Sequence, residues 1–216
     1  MGPSHHPDGD ELLAYVTGTC ETWLSTLIAC HLTLCPRCRD EVALLESLGG
    51  ALFDDWLEDE ADEALECADH VQLPPRKPLQ AVAAPAEVAS VVPRPLLSFL
   101  ADSEPRFRFL APGLSHMPLN LMGGDRPLRL VRFNPGFVVP EHSHAGLEWL
   151  LILTGEVHDR ATGDRFRRGD ISRRDVDDVH AQVIGKDEPC IAVFANIGPP
   201  IPRTLLGKVL ARIVGL

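Results

Sequence analysis

The chain is 216 residues long, 45% hydrophobic and 24% charged, with a formal charge of −11, a composition that fits a globular protein of one large or two small domains. Its longest uninterrupted apolar run, Cys190 to Ala195, falls far short of the roughly 18 to 20 residues of a membrane span, and the start lacks the basic-then-apolar pattern of a secretory signal, which points to the cytoplasm. Residues 1–70 hold 16 acids against 2 arginines while the rest is close to balanced, so the front repels nucleic acid and suits a positively charged protein partner.

The first 70 residues read as helical. In "DGDELLAYVTG" Asp8 or Asp10 can cap a helix carrying Leu12, Leu13 and Val16, with a stop at Gly18. "CETWLSTLIACHL" spaces Trp23, Leu24, Leu27 and Ile28 as a second helix, and "PRCRDEVALLESLGG" opens a third at Pro36 and closes it at Gly49. A fourth, "ALFDDWLEDEADEALECADH", sets Leu52, Phe53, Trp56, Leu57, Ala61, Ala64 and Leu65 against a dense acidic face.

From Val71 to Pro95 six prolines exclude regular helix and predict an extended, semi-rigid linker and a domain boundary. Beyond it, short apolar or alternating runs broken by Gly, Asp and Pro ("PLRLVRFNPG", "LEWLLILTGEVHD", "DRFRRGDIS", "VHAQVIG", "CIAVFANIG") predict strands of a sandwich or barrel. The tail "RTLLGKVLARIVGL" puts Leu205, Leu206, Val209, Leu210, Ile213 and Val214 on one helical face, which would pack on the barrel or a partner. The organisation is therefore multidomain α + β: helices over 1–70, a linker over 71–95, and an all-β domain with a C-terminal helix over 96–216.

In the stretch "HLTLCPRC", His31, Cys35 and Cys38 are four and three residues apart, so their side chains can converge at a helix-turn-helix junction. Pro36 favours a break just before it, leaving His31 at the end of one helix and Cys38 in the first turn of the next, where a thiol's pKa is lowered. In a reducing compartment such spacing points to metal or redox chemistry before a disulfide. Two sulfurs and a nitrogen suit zinc, and the fourth ligand would be His5 or His6, between which spacing does not choose. A thin helical core would draw much of its stability from that staple. Thiol–disulfide exchange lacks the surrounding βαβ pattern, and Cys20, Cys30 and Cys67 read as core residues, with Cys30, next to His31, as the one substitute ligand.

In "GFVVPEHSHAGLEWLLILTG", His142 and His144 share a strand face, and Gly146 permits a turn that lets Glu148 join them. His180 arrives later, in "DDVHAQV". Three neutral imidazoles and a carboxylate would leave a divalent ion with open coordination positions. His70, His116 and His158 belong to no such group.

Two resemblances follow from these residues. His6, His31, Cys35 and Cys38 in a short acidic helical domain resemble the zinc-binding anti-sigma domain, which implies His6 over His5 as fourth ligand and a four-helix fold that clamps a sigma factor. Residues 136–155 match the first cupin motif, G-x5-H-x-H-x3-E-x6-G, at every defined position. The second cupin motif keeps Gly163, Gly169, Asp170 and His180 but has Asp175, Asp177 and Ile184 where Pro, Gly and Asn are usual. This resemblance implies a double-stranded β-helix, the jelly-roll barrel, with a metal held by His142, His144, Glu148 and His180. Zinc is the ion it implies, though iron, manganese or nickel fit the donors.

The two domains in this order are similar to the ChrR-type anti-sigma factors. That resemblance implies sequestration of an extracytoplasmic-function sigma factor by the front domain, and its release when the cupin senses singlet oxygen or a related oxidant. It implies no enzymatic activity, no direct nucleic-acid contact and no membrane. Leu52, Phe53, Trp56 and Leu57 are then the residues expected to bury against the partner, with Asp54, Asp55, Glu58 and Asp59 steering the encounter. The metal ligands of the barrel would be first to meet the oxidant, and Cys190 a lesser target. The rival reading is a metal-dependent cupin oxygenase or isomerase with a regulatory helical domain.

Overall fold

The structure, a computed structural model, describes residues 2–59, 86–101, 106–119, 128–198, 200–205 and 207–208. Helix α1 (Gly9–Val16) starts at Asp8, whose carboxylate accepts from the Glu11 N–H while the Glu11 carboxylate accepts from the Asp8 N–H, a reciprocal capping box. Helix α2 (Thr22–Leu34) ends where Cys35 turns extended before Pro36, because a residue preceding proline is pushed out of the helical region.

Helix α3 (Pro36–Asp59) runs unbroken through Gly49 and Gly50, where a stop and a new helix were expected. A glycine ends a helix by adopting the left-handed conformation; neither glycine does so, and the Leu, Glu and Ala around them favour the helix enough to carry it through. The third and fourth predicted helices are thus one as far as Asp59, and the rest of the fourth lies outside the described residues.

The expected linker also differs. Its stretch over 71–85 lies outside the described residues, but helices α4 (Ala86–Ala89) and α5 (Arg94–Ala101) occupy its end. Pro95 sits in the first turn of α5, where its missing N–H would have had no helical partner. Val88, Leu96 and Leu100 are fully buried.

Eleven strands follow among the described residues: β1 (Arg108–Ala111), β2 (Leu114–Leu119), β3 (Leu128–Phe133), β4 (Val138–His144), β5 (Glu148–Thr154), β6 (Glu156–Asp159), β7 (Arg165–Arg167), β8 (Ile171–Arg174), β9 (His180–Ile184), β10 (Cys190–Asn196) and β11 (Pro200–Pro202). They form a six-stranded sheet, β1-β2-β3-β10-β5-β8, and a five-stranded one, β11-β4-β9-β6-β7, both antiparallel. Inner side chains Val131, Phe133, Leu150, Ile152, Val157, Phe166, Ile184 and Ala192 fill the barrel.

The outer face of the six-stranded sheet is buried too. Trp149, Leu151, Leu153 and Val193 pack with Trp23, Leu27 and Cys30 of α2 and with Val88, Leu96 and Leu100. Covering on both faces is why β5 and β10 read as unbroken apolar runs rather than alternating ones. The third core, Leu12, Ile28, Cys35, Cys38 and Val42, is small and includes the two thiols. Of the predicted tail helix only Leu205, Gly207 and Lys208 are described as helical; the rest lies outside the described residues.

Candidate metal centres

The α2–α3 junction brings the first cluster together. One donor atom each from His6, His31, Cys35 and Cys38 lies within 4.8 Å of every other. His31 Nε2 is 3.3 Å from Cys38 Sγ, and His6 Nδ1 is 3.3 Å from Cys38 Sγ and 3.5 Å from Cys35 Sγ. Donors at zinc–nitrogen and zinc–sulfur bond lengths around one tetrahedral ion would stand roughly 3.5 Å apart, so the set fits such an ion. His31 Nδ1–H donates to the Gly169 carbonyl at 2.7 Å, which leaves the Nε2 lone pair directed at the sulfurs.

Burial lowers the pKa of both His6 and His31, so both imidazoles are neutral donors. The thiol behaves differently from the expectation for a helix N-terminus: burial, followed by the hydrogen bond and charge of Cys35, pushes Cys38 up to about 12. Desolvation outweighs the helix end here, and it takes a cation among these donors to form the thiolate at neutral pH.

His5 faces elsewhere. Its ring packs 4.4 Å from Phe166, and its backbone N–H donates to Asp170. The five described cysteines are free thiols. Cys30 is a core residue, its thiol pushed to about 12 by burial, and Cys67 lies outside the described residues. Cys190 is buried in the barrel with its thiol likewise raised to about 12, an inert setting for the lesser target named above.

In the barrel, His142 and His144 come from β4, Glu148 from β5 and His180 from β9, with one donor atom each within 4.8 Å of the others. His180 Nε2 is 2.9 Å from His144 Nε2 and 3.2 Å from His142 Nε2. Glu148 oxygens stand 3.5 Å from His144 Nδ1 and 3.7 Å from His180 Nε2. Ring nitrogens converging this closely match donors about 2.0–2.1 Å from a shared divalent ion, which would sit roughly 2.9–3.4 Å apart. Two outer contacts orient the rings: His142 Nδ1–H donates to the Pro140 carbonyl at 2.9 Å and His180 Nδ1–H to Asp159 Oδ2 at 3.1 Å.

Burial lowers the pKa of His144 and His180. It opposes ionisation of Glu148 as well, but the hydrogen bond from His142 and the charges of the three rings outweigh it and hold that carboxyl below its ordinary range. For His142 the Glu148 carboxylate outweighs burial and raises the pKa. The replaced residues of the second cupin motif leave His180 in place, since Asp178 accepts from the Asp175 N–H and closes that turn.

What sequence reasoning missed is the strand between the centres. Asp170, 2% exposed, accepts from the backbone N–H groups of Ser4, His5 and Arg167. Ile171 N–H donates to the His5 carbonyl. Arg173 pairs with Asp8 at 3.0 Å and Glu11 at 2.6 Å, while Arg174 pairs with Asp159 at 2.8 Å. Residues 169–174 therefore touch a first-cluster histidine at one end and the carboxylate behind His180 at the other. A Cβ on Gly169, at φ +90, would meet Pro3 Cγ at 2.5 Å, so this turn requires glycine.

Asp170 gives a direct test of that seam. Burial opposes its ionisation, yet the N–H donors of Arg167, His5 and Ser4 hold its pKa low. Its contribution is full above about pH 4, where an unfolded Asp carboxyl is ionised, and is lost as the pH falls through the lower folded value. Asp170→Ala should lower stability at pH 7 by about 2–3 kcal/mol, measured by urea unfolding, with the difference from wild type shrinking in acid. An unchanged midpoint would remove the seam's energetic role.

Over residues 100–199 the sequence matches the family described as the ChrR Cupin-like domain. It is 31% identical over 208 residues, 95% of either chain, to the Anti-sigma-E factor ChrR of Cereibacter sphaeroides. The fold is similar, at a TM-score of 0.65 and 27% identity, to a chain in the crystal structure of Rhodobacter sphaeroides SigE in complex with the anti-sigma ChrR, with 89% of this chain and 98% of that one covered.

Proposed function

This chain belongs to the family of the anti-sigma factor ChrR, and from that premise we propose that it sequesters an extracytoplasmic-function sigma factor through its front helices and releases it when an oxidant acts on the barrel. On this reading it is a regulator of transcription and not a catalyst. Its first cluster holds a structural zinc ion, and the barrel cluster holds a divalent ion, zinc or one of the redox metals. The ion in front would fix α2 against α3; the ion in the barrel would offer open coordination to the signal.

The observation that carries the capture half is the outer face of α3. Leu44, Leu48, Leu52, Phe53 and Trp56 are 70%, 58%, 64%, 57% and 50% exposed, while Cys38 and Val42 point into the small core. Four of the five recur every fourth residue, so they form one apolar stripe, and Phe53 and Trp56 sit 5.9 Å apart within it. A stripe of this size on a helix bearing Asp54 and Asp55 supports burial against a partner with a basic, partly apolar surface. Leu57 belongs to the same expectation, but its side chain lies outside the described residues.

Phe53→Ala with Trp56→Ala should weaken sigma binding by about 100-fold without changing the helical circular dichroism spectrum, since both side chains are already exposed. Titration calorimetry with the co-expressed sigma factor reads this. Equal affinity in the double variant would refute the assignment of this face. Turnover of a small substrate by the chain lacking residues 1–70 would favour the oxygenase or isomerase reading in its place.

The release half is supported by the strand between the clusters. Contacts made by residues 169–174 to His31, Ser4 and His5 are buried or charge-assisted hydrogen bonds worth about 1–3 kcal/mol each, and the exposed Arg173 pairs with Asp8 and Glu11 add about 0–1 kcal/mol each. Reversing a capture equilibrium from 99:1 to 1:99 takes about 5.5 kcal/mol of differential stabilisation. Rearrangement of the whole seam, its three buried or charge-assisted contacts together with the Arg173 pairs, is of that order.

A further inference from the structure

Between the two sheets lies a cavity of about 170 Å³ whose walls are almost wholly apolar, with Leu114, Val131, Phe133, Phe137, Leu150 and Phe194 among them, and which reaches His142 and Glu148. Two polar side chains line it, half-buried Arg129 and buried Gln182. Arg129 is on the β3 face that carries Val131 and Phe133, with its guanidinium carbon 5.9 Å from the Phe194 ring centre. Among the described residues no carboxylate pairs with it. Gln182, 4% exposed, has a side-chain Nε2 with no hydrogen-bond partner.

These donors stand on opposite sheets, and strand register puts each of them next to a residue of the imidazole cluster. On β10, Phe194 stands across from Arg129 on one side and Leu150 on the other, and Asn196 stands across from Glu148. Arg129 is therefore one rung away from Glu148. On the facing sheet, Gln182 is one rung from His180, which pairs with His142. Both donors flank the layer of the cavity next to the imidazole cluster.

A guanidinium does not give up its charge, and even half-buried, as Arg129 is, it loses solvation that an aromatic face returns only in part, at roughly 0.5–2 kcal/mol. Burial lowers the Arg129 pKa, with no partner opposing it. The missing group is an acceptor that can face both walls. A carboxylate has two oxygens for that purpose, a neutral amide or alcohol leaves the charge uncompensated, and a dianion is disfavoured by Glu141 and Glu148 at the same mouth. The size is also bounded: a dry cavity near 150 Å³ takes a benzene-sized guest, so about six to ten heavy atoms fit.

We propose that the barrel binds a compact monocarboxylic acid with an apolar body, its carboxylate held between Arg129 and Gln182 beside the imidazole cluster. The cavity is thus a ligand site in its own right, and it stands apart from the sigma-factor reading because it rests on the barrel interior alone. A ligand seated one rung from Glu148 and His180 would give the barrel a chemical input in addition to an oxidant.

The test is calorimetric titration of the full-length, metal-loaded protein with sodium benzoate and sodium hexanoate, against benzamide as the neutral isostere. Saturable one-to-one binding of an acid is expected, at least about tenfold tighter than benzamide. Arg129→Met should weaken it by about tenfold or more, and Gln182→Leu by roughly threefold to tenfold. No binding of either acid, equal binding of benzamide, or binding abolished by metal removal but indifferent to Arg129→Met would each overturn the proposal. Should Arg129→Met fail to fold, Gln182→Leu and the acid-to-amide ratio of the wild type decide the matter. Capture of the sigma factor is measured separately on the same sample, so a failure of either reading leaves the other readable.

Discussion

Replacing Cys35 and Cys38 together by serine is expected to strip one metal equivalent from the chain, unfold α1 and α3 and abolish capture of the sigma factor. The reason lies in how little else holds α1 and α3, since among the described residues only α2 of the three front helices packs on the six-stranded sheet, through Trp23, Leu27 and Cys30. The small core there is Leu12, Ile28 and Val42 besides the two cysteines, and three apolar side chains supply only about 5–9 kcal/mol of burial. Structural zinc ions in small domains contribute on the order of 10 kcal/mol. Serine preserves the side-chain volume closely but is a poor ligand for zinc, so the change isolates the ion from the packing. Metal analysis should fall from two ions per chain to one, and far-ultraviolet circular dichroism should lose helical signal while the barrel's transition persists. A double serine variant that keeps both ions, or loses one and still binds the sigma factor at full affinity, would overturn the first metal centre as the organiser of the grip.

His144→Ala with Glu148→Ala is expected to do the reverse: capture is kept and release is lost. Both side chains are buried in the barrel cluster and neither belongs to the exposed stripe of α3, so the face proposed for the partner keeps its side chains. Without these donors the barrel ion is lost, and with it the differential response that any signal must exploit, since a stimulus acting equally on both states shifts nothing. Exposing the purified complex to a photosensitiser in light should free most of the sigma factor from the wild type. In the variant the freed fraction should fall at least about tenfold, the size of effect a change of 1.4 kcal/mol produces. Equal release from both proteins would place the sensor outside the barrel cluster.

Much of the candidate chemistry was legible because its signals are local. His31, Cys35 and Cys38 sit within eight residues, and the spacing of His142, His144 and Glu148 across one turn constrains where their side chains can point before any tertiary contact forms. The choice of His6 came from the family resemblance, and in the structure it is His6 whose ring lies beside both sulfurs while His5 packs on Phe166. Leu44 and Leu48 could have been read as well, since they precede Leu52 and Trp56 at the same spacing of four; what the spacing does not say is that this face stays exposed.

The sequence by itself determined the two-part α + β organisation, the cap of α1, the break before Pro36 and the residue types gathered in each cluster, all consequences of short-range sterics and periodicity. Tertiary structure decided the rest. Gly49 and Gly50 remain helical where local propensity offered a stop, and Pro95 begins a helix because Val88, Leu96 and Leu100 gain burial against α2 and the six-stranded sheet. The raised thiol of Cys38 follows from burial in the small core and, after that, from Cys35, which together outweigh its place at a helix start. Above all, the link between the centres runs through the Gly169 carbonyl and the backbone N–H groups that meet Asp170. Every residue has such backbone groups, so only the packing of the front segment against strand β8 could select which of them carry the connection.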